Sequence, residues 1–255
     1  MPWRRSSTWT PPGDTEIAAI VGANVRIAAH LSQAQRARLL EHTAELLRTK
    51  RWESVDGIDL TDEVLVTVAA NAAIPILSFD IWPYRQVRSI IIRPTATIST
   101  GTRAGPVAGT FTDEELATIG EASPRTGPLA ISWDAARHDS KHPSLGCNVV
   151  IHEFAHKIDM NDGYADGVPP LRGAALDRWR QVLRDEFHRT ESHESDHVLR
   201  PYAWTNPAEF FAVASEAFFC VPARLADAKA ELYAVLSELY QQDPATDWNA
   251  DGFRT

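Results

Sequence analysis

The sequence predicts an α/β (α+β) chain with more helix than strand and a small mixed sheet, on three observations. Apolar residues recur at helical spacing in several separate stretches. Two short runs, Val87 to Arg93 and Gly127 to Trp133, read as strands set among those helices. The stretch Val149 to Asp159 reads as one further helix whose two sides carry different chemistry.

In that stretch, a helix of about 3.6 residues per turn places His152 and His156 one turn apart, with Glu153 roughly 100° round from His152. Ile151, Phe154, Ala155 and Ile158 fall on the other side as a core-facing stripe. An apolar back would pin the helix while two imidazoles and a carboxylate face open space. Two neutral imidazoles so placed can share a zinc ion, and the neighbouring carboxylate can take a proton from a water at the metal. The alternative is a pair of surface histidines beside a solvated glutamate, and the apolar stripe argues against it. Lys157 suits either reading. The motif needs a third ligand from elsewhere in the chain.

The remaining elements follow in order. Residues 1–14 are rich in Pro, Ser and Thr and are expected to be poorly ordered, with a single domain over 15–255. Glu16 to His30 is mildly amphipathic and interrupted by Gly22. Ser32 and Gln35 form a capping box opening a helix to about Lys50, with Leu39, Leu40, Leu46 and Leu47 inward. Asp56-Gly57 marks a turn. Thr61-Asp62-Glu63 starts a second helix through Ala69, Ala70, Ala72 and Ala73, whose small side chains suit close packing. Val87 to Arg93 is a strand closed by Pro94, and residues 95–127, rich in Thr, Gly and Pro, suit a hairpin or long loop. Pro128 places the second strand at an edge or at a strand start, although an interior position fits as well. Beside the site, such an edge could take an extended peptide by backbone hydrogen bonds. Arg137 to Gly146 reads as a polar connector, and Asn148 as the cap of the central helix. Leu176 to His188 is amphipathic. His193 and His197 repeat the i, i+4 spacing but lack any apolar period, and they read as solvent-exposed. A helix from about Arg224 to Gln241 closes the chain.

Composition narrows the partners. The formal charge of −9 over 255 residues, with no basic stripe, argues against nucleic acid and against anionic membrane surfaces. Met1-Pro2-Trp3-Arg4-Arg5 has no apolar run behind it, so it is not read as a secretory signal, and no run is long enough to span a bilayer. Two cysteines, Cys147 and Cys220, make no disulfide framework, and a cytoplasmic location is the simplest expectation.

The third ligand is sought in Asn206 to Glu216. Asn206 is a natural N-cap and Pro207 fits the first helical position, which puts Glu209 at the third. Glu209 could simply bond back to the cap. Glu216 lies two turns on, on the same face, among Ala212, Val213 and Cys220. Two acids among small apolar residues suit a buried cation, because an unpaired buried carboxylate is costly. Either acid could be the ligand while the other orients a histidine through its distal ring nitrogen. Asp159, three residues after His156, competes for that orienting role.

Asn148 to Asp159, then Gly163, Ala165 to Pro169, and Pro207 to Glu216 closely resemble the Mlc titration factor A family of zinc metallopeptidases. Gly127 to Trp133 and Leu60 to Glu63 are similar too, and the resemblance covers roughly residues 30–242. It implies a zincin-type α/β catalytic domain with extra helices. It also implies one Zn2+ per chain held by His152, His156 and Glu209, and Tyr202 at the active site, where a phenol could donate to a developing oxyanion. Glu153 would then be the general base of an aminopeptidase-like enzyme acting on short peptides. The same resemblance implies binding to a transcriptional repressor of sugar uptake, so sequestration of that partner, with hydrolysis secondary, is the alternative. Hydrolysis of a non-peptide amide by the same residues is a further one.

Overall fold

The computed structural model of the chain describes residues 9–95, 128–187 and 196–247, with the backbone of short strands at 3–4, 97–98, 103–104, 111–112 and 117–118. From the N-terminus, β1 (Trp3–Arg4) precedes α1 (Asp14–Asn24), which passes through a 3-10 turn (Arg26–Ala29) into α2 (Gln33–Thr49). Ser32 caps α2 through the expected reciprocal pair. Its Oγ accepts from Gln35 N–H at 3.3 Å, and Gln35 Oε1 accepts from Ser32 N–H at 3.0 Å. Then come β2 (Arg51–Ser54), α3 (Asp62–Ala73), capped by Thr61 Oγ1, and β3 (Ser89–Arg93). Every residue from Val64 to Ala73 is buried, and the alanines let α1, α2, α4 (Trp133–Lys141) and α5 (Val149–Asp159) approach α3 closely.

Between β3 and α4 lie β4 (Thr97–Ile98), β5 (Arg103–Ala104), β6 (Phe111–Thr112), β7 (Ala117–Thr118) and β8 (Leu129–Ser132). β4 pairs with β7 and β5 with β6, both antiparallel, and the rest of 96–127 lies outside the described residues. The main sheet runs β1-β2-β3-β8. β2, β3 and β8 are parallel and β1 is antiparallel to β2, which makes the small mixed sheet the sequence predicts. Ile90 pairs with Leu129 and Ile92 with Ile131, so alternate residues of β3 point into the core. β8 is buried along its length and, among the described strands, sits at the sheet edge against α5.

The second half is helical: α6 (Ala174–Phe187), α7 (Pro207–Cys220), α8 (Pro222–Ala228), α9 (Ala230–Tyr240) and α10 (Pro244–Asp247). α5 packs along α7, and neither presents a wide face to solvent. Phe210, Phe211, Phe218 and Phe219 of α7 are fully buried. Burying such a ring is worth about 1.5–3 kcal/mol, so α7 is anchored well enough to hold a side chain in a fixed place. No helix among the described residues is long and apolar enough to cross a membrane.

Three expectations are corrected or refined. The polar connector expected over Arg137 to Gly146 is helical as far as Lys141, as part of α4, whose buried face amounts to Ala136 and Ser140, too few small residues to leave an apolar period. β2 appears where no strand is expected, because only Trp52 and Ser54 of its four residues are buried. The C-terminal helix is two helices broken at Lys229. There φ is −141° and the ammonium is drawn to Glu186 and Asp196 at 2.6 and 2.9 Å. Within the N-terminal segment, residues 3–4 pair with β2 and Trp9 Nε1 donates to Asp62 at 3.0 Å, while residues 1–2 and 5–8 lie outside the described residues. His193 is also outside them, and His197 is exposed as expected.

Candidate metal centre

α5 begins in a fixed register because Asn148 Oδ1 accepts from the N–H groups of Val150 and Ile151 at 3.1 and 3.2 Å. The amide of Asn148 is itself oriented by donating to Asn71 Oδ1 of α3 at 2.8 Å. One turn in, His152 and His156 face each other with Nε2 atoms 3.2 Å apart and rings nearly perpendicular. They do not look onto open space as the sequence suggests. The whole of α5 is buried, Glu153 and Lys157 included.

The opposing carboxylate comes from α7. Asn206 Oδ1 caps that helix by accepting from Glu209 N–H at 3.0 Å. The side chain of Glu209 reaches across to α5, where Oε2 stands 3.1 Å from His152 Nε2 and 3.5 Å from His156 Nε2. Four donors placed tetrahedrally at about 2.0–2.1 Å from a zinc ion stand about 3.3 Å from one another. The triangle of 3.1, 3.2 and 3.5 Å therefore fits three corners of such a site. Beside it, Glu153 Oε2 is buried without a hydrogen-bond partner.

A second layer holds these groups. Glu216, fully buried, accepts from His152 Nδ1–H at 2.7 Å and, through its other oxygen, from the backbone N–H of Asn148 at 2.7 Å. That bond leaves His152 Nε2 with its lone pair directed at the other donors. Arg200 donates to the same carboxylate, and its guanidinium stacks 5.5 Å from the ring of Tyr202. Tyr202 stands on a 3-10 turn (Pro201–Trp204), its ring 6.1 Å from that of His152. Of the two acids that could orient a histidine, Glu216 makes the contact. Asp159 is engaged elsewhere, accepting from Gly167 N–H at 2.9 Å.

Comparison with known proteins bears on this arrangement. The family described as "Glucose-regulated metallo-peptidase M90" matches residues 1–241. The chain belongs to that family. Among its relatives, "Uncharacterized protein slr2042" of Synechocystis sp. is 32% identical over 246 residues, spanning 95% of this chain and 89% of the relative. "Mlc titration factor A" of Yersinia pestis and of Yersinia pseudotuberculosis is 31% identical over 234 residues, 87% of this chain and 83% of the relative. Membership gives the M90 chain a metallopeptidase-type function and a need for a metal ion. The mixed fold around the motif helix is that of a zincin-like metallopeptidase.

The electrostatics of the M90 site suit a cation. Burial works against a charged His152, but the Glu216 carboxylate and hydrogen bonds with Glu209 and Glu216 outweigh it and push the ring up to about 10. Burial also raises Glu209, yet hydrogen bonds and charge from both imidazoles hold it well below the usual carboxylate range. Glu153 is raised by burial, with both imidazoles pulling the other way. Tyr202 is pushed up to about 12 by burial and by the carboxylates of Glu209 and Glu153, so its phenol keeps its proton at neutral pH.

Three of these contacts are missed by sequence reasoning. Arg200 and Gly167 sit in stretches without periodicity and leave no signal. Asn71 leaves a faint one, since it and Thr67 are the polar residues in an otherwise apolar run from Val64 to Ala73.

Asp159 gives a first prediction. Burial pushes its carboxyl up to about 7; the Gly167 N–H pulls against this, and Asp166 and Asp162 add to it. An unfolded Asp titrates near 3.9, so between about pH 4 and 7 the folded chain binds the extra proton. Stability then falls as pH rises through that window. In metal-free protein, Asp159→Asn is expected to flatten this fall, melting several degrees above the parent at pH 8 and close to it at pH 5. Thermal melts across the pH series check it.

Proposed function

We propose that this chain is a zinc-dependent peptidase in a single catalytic domain, with one Zn2+ held by His152, His156 and Glu209. The observation that carries the reading is the triangle of two Nε2 atoms and one carboxylate oxygen beside a buried, unpartnered Glu153 oxygen. Zinc held there supplies Lewis acidity, polarising a scissile carbonyl and making a water nucleophilic near neutral pH. The chain's own residues do the rest. Glu153 accepts the proton of the attacking water and returns it to the departing amine. Tyr202, protonated at working pH, donates to the oxygen of the carbonyl as charge develops on it. Glu216 keeps His152 in the tautomer and orientation that ligation needs, and Arg200 anchors Glu216. Aminopeptidase-like cleavage of short peptides is the finer assignment, supported by the family resemblance.

Metal analysis tests the core of this. Purified protein is expected to carry one zinc per chain and to cleave aminoacyl reporter substrates. A chelator should abolish turnover and added Zn2+ should restore it. Metal-free protein with full activity would overturn the reading. Tyr202→Phe is expected to retain zinc and to lower kcat by about 10²-fold, the loss of one oxyanion donor, with little change in KM.

A second reading is supported by the name of the relatives. The Yersinia relatives are named Mlc titration factor A, and under this reading the chain acts by binding a transcriptional regulator, with hydrolysis secondary. A pull-down with the inactive Glu153→Gln protein separates the two. Binding and cellular effect would persist under this second reading, and the effect would vanish under the first.

A further inference from the structure

Gly167 occupies an unusual place between three helices. It sits at φ +73° in the loop after α5, and its backbone is pressed against the start of α7. A Cβ added there would lie 2.1 Å from Pro207 O, 2.3 Å from Pro207 C and 2.9 Å from Ala208 N. No side chain fits at those distances, and Pro207 and Ala208 are the two residues immediately before Glu209. Both backbone polar groups of the residue are gripped as well. Its N–H donates to Asp159 Oδ2 at 2.9 Å, and its carbonyl accepts from Trp179 Nε1 of α6 at 2.8 Å. Both gripping side chains are fully buried, and Trp179 also meets Phe211 of α7 edge-on at 5.5 Å. Asp159 commits one oxygen to Gly167 and leaves the other without a hydrogen bond. A buried acid is a costly way to hold one loop N–H, which points to a position that must be held.

We propose that Asp159, Gly167 and Trp179 form a clamp that sets how deeply the first turn of α7 carries Glu209 toward His152 and His156. The inference rests on the zinc reading above. α5 supplies both the imidazole pair and, one turn on from His156, the acid that grips the loop. The loop backbone in turn butts against the helix that bears the third donor. The separation of two Nε2 atoms from one carboxylate oxygen is thereby fixed by a backbone contact rather than by side-chain packing alone. These are positioning residues, because none of them belongs to the donor set.

The test uses the full-length protein. Zinc affinity is measured by chelator competition, and coordination by the visible absorption of the Co2+-substituted form. Asp159→Leu and Gly167→Ala, if folded by circular dichroism, are expected to bind zinc at least tenfold more weakly and to show an altered cobalt spectrum. Asp159→Asn keeps an acceptor for the Gly167 N–H and is expected to stay within twofold of the parent, with the parent's spectrum. Trp179→Phe removes only the indole donor and serves where the harsher variants fail to fold; it too should weaken binding and alter the spectrum. Leu46→Ala, a core truncation in α2, controls for general destabilisation and should leave the spectrum unchanged. A folded Asp159→Leu or Trp179→Phe protein with parental affinity and spectrum overturns the clamp while leaving the zinc reading intact. A parent protein that takes up no zinc or cobalt overturns both.

Discussion

Glu153→Gln is expected to reduce peptide hydrolysis by about 10²–10⁴-fold, the range for loss of a general acid–base group, while zinc content stays at one per chain. Glutamine has the same shape, so the buried pocket around position 153 is not opened. What is lost is an atom that can accept and return a proton. Glu153 is suited to that work because its Oε2 is buried without a partner, and no hydrogen bond has to be broken before it meets a water. Burial raises its proton affinity, and the neighbouring imidazoles pull the other way. Steady-state rates against an aminoacyl reporter, paired with metal analysis of the same sample, check both halves. A variant that hydrolyses at the parental rate would remove Glu153 from the chemistry.

The second large effect separates the two acids of α7. Glu209→Ala is expected to lose stoichiometric zinc outright, as is His156→Ala, since each of the replaced residues supplies one of the three protein donors in the proposed site. Glu216→Ala removes a carboxylate that meets the three candidate donors only through the far nitrogen of His152. Loss of such an orienting partner costs about 10–100-fold in metal affinity, so this variant should still fill with zinc at micromolar excess. It should also melt lower, because the N–H of Asn148 and the guanidinium of Arg200 lose their acceptor. Zinc titrations of the three proteins side by side give the order. If Glu216→Ala sheds zinc while Glu209→Ala retains it, the ligand has been assigned to the wrong acid.

Much of the fold is legible in the sequence because its helices are strongly marked. The caps at Ser32, Thr61, Asn148 and Asn206 each announce a helix start by a local hydrogen bond, which depends on no distant part of the chain. The spacing of His152 and His156 carries the same kind of local information. The choice between Glu209 and Glu216 was not readable from residues alone. They share a face and differ only in their height along α7 relative to α5, a quantity set by packing. Tyr202 is singled out only by the family resemblance, since an aromatic in a 3-10 turn has no period. α4 and β2 leave no periodic signal in the sequence because each buries only two residues on its inner face. The break at Lys229 is hidden by a continuous helical pattern, and it falls where the ammonium pairs with two acids distant in sequence.

The bond from Asn71 to the cap of α5 has an implication for how this protein can change. Alanine-rich α3 looks like filler, a segment where one small apolar residue could replace another freely. Yet one of its side chains decides which way the Asn148 amide is turned, and hence where the motif helix starts. Natural variation along α3 should be tolerated at its alanines within the limits of size, and scarcely at all at position 71.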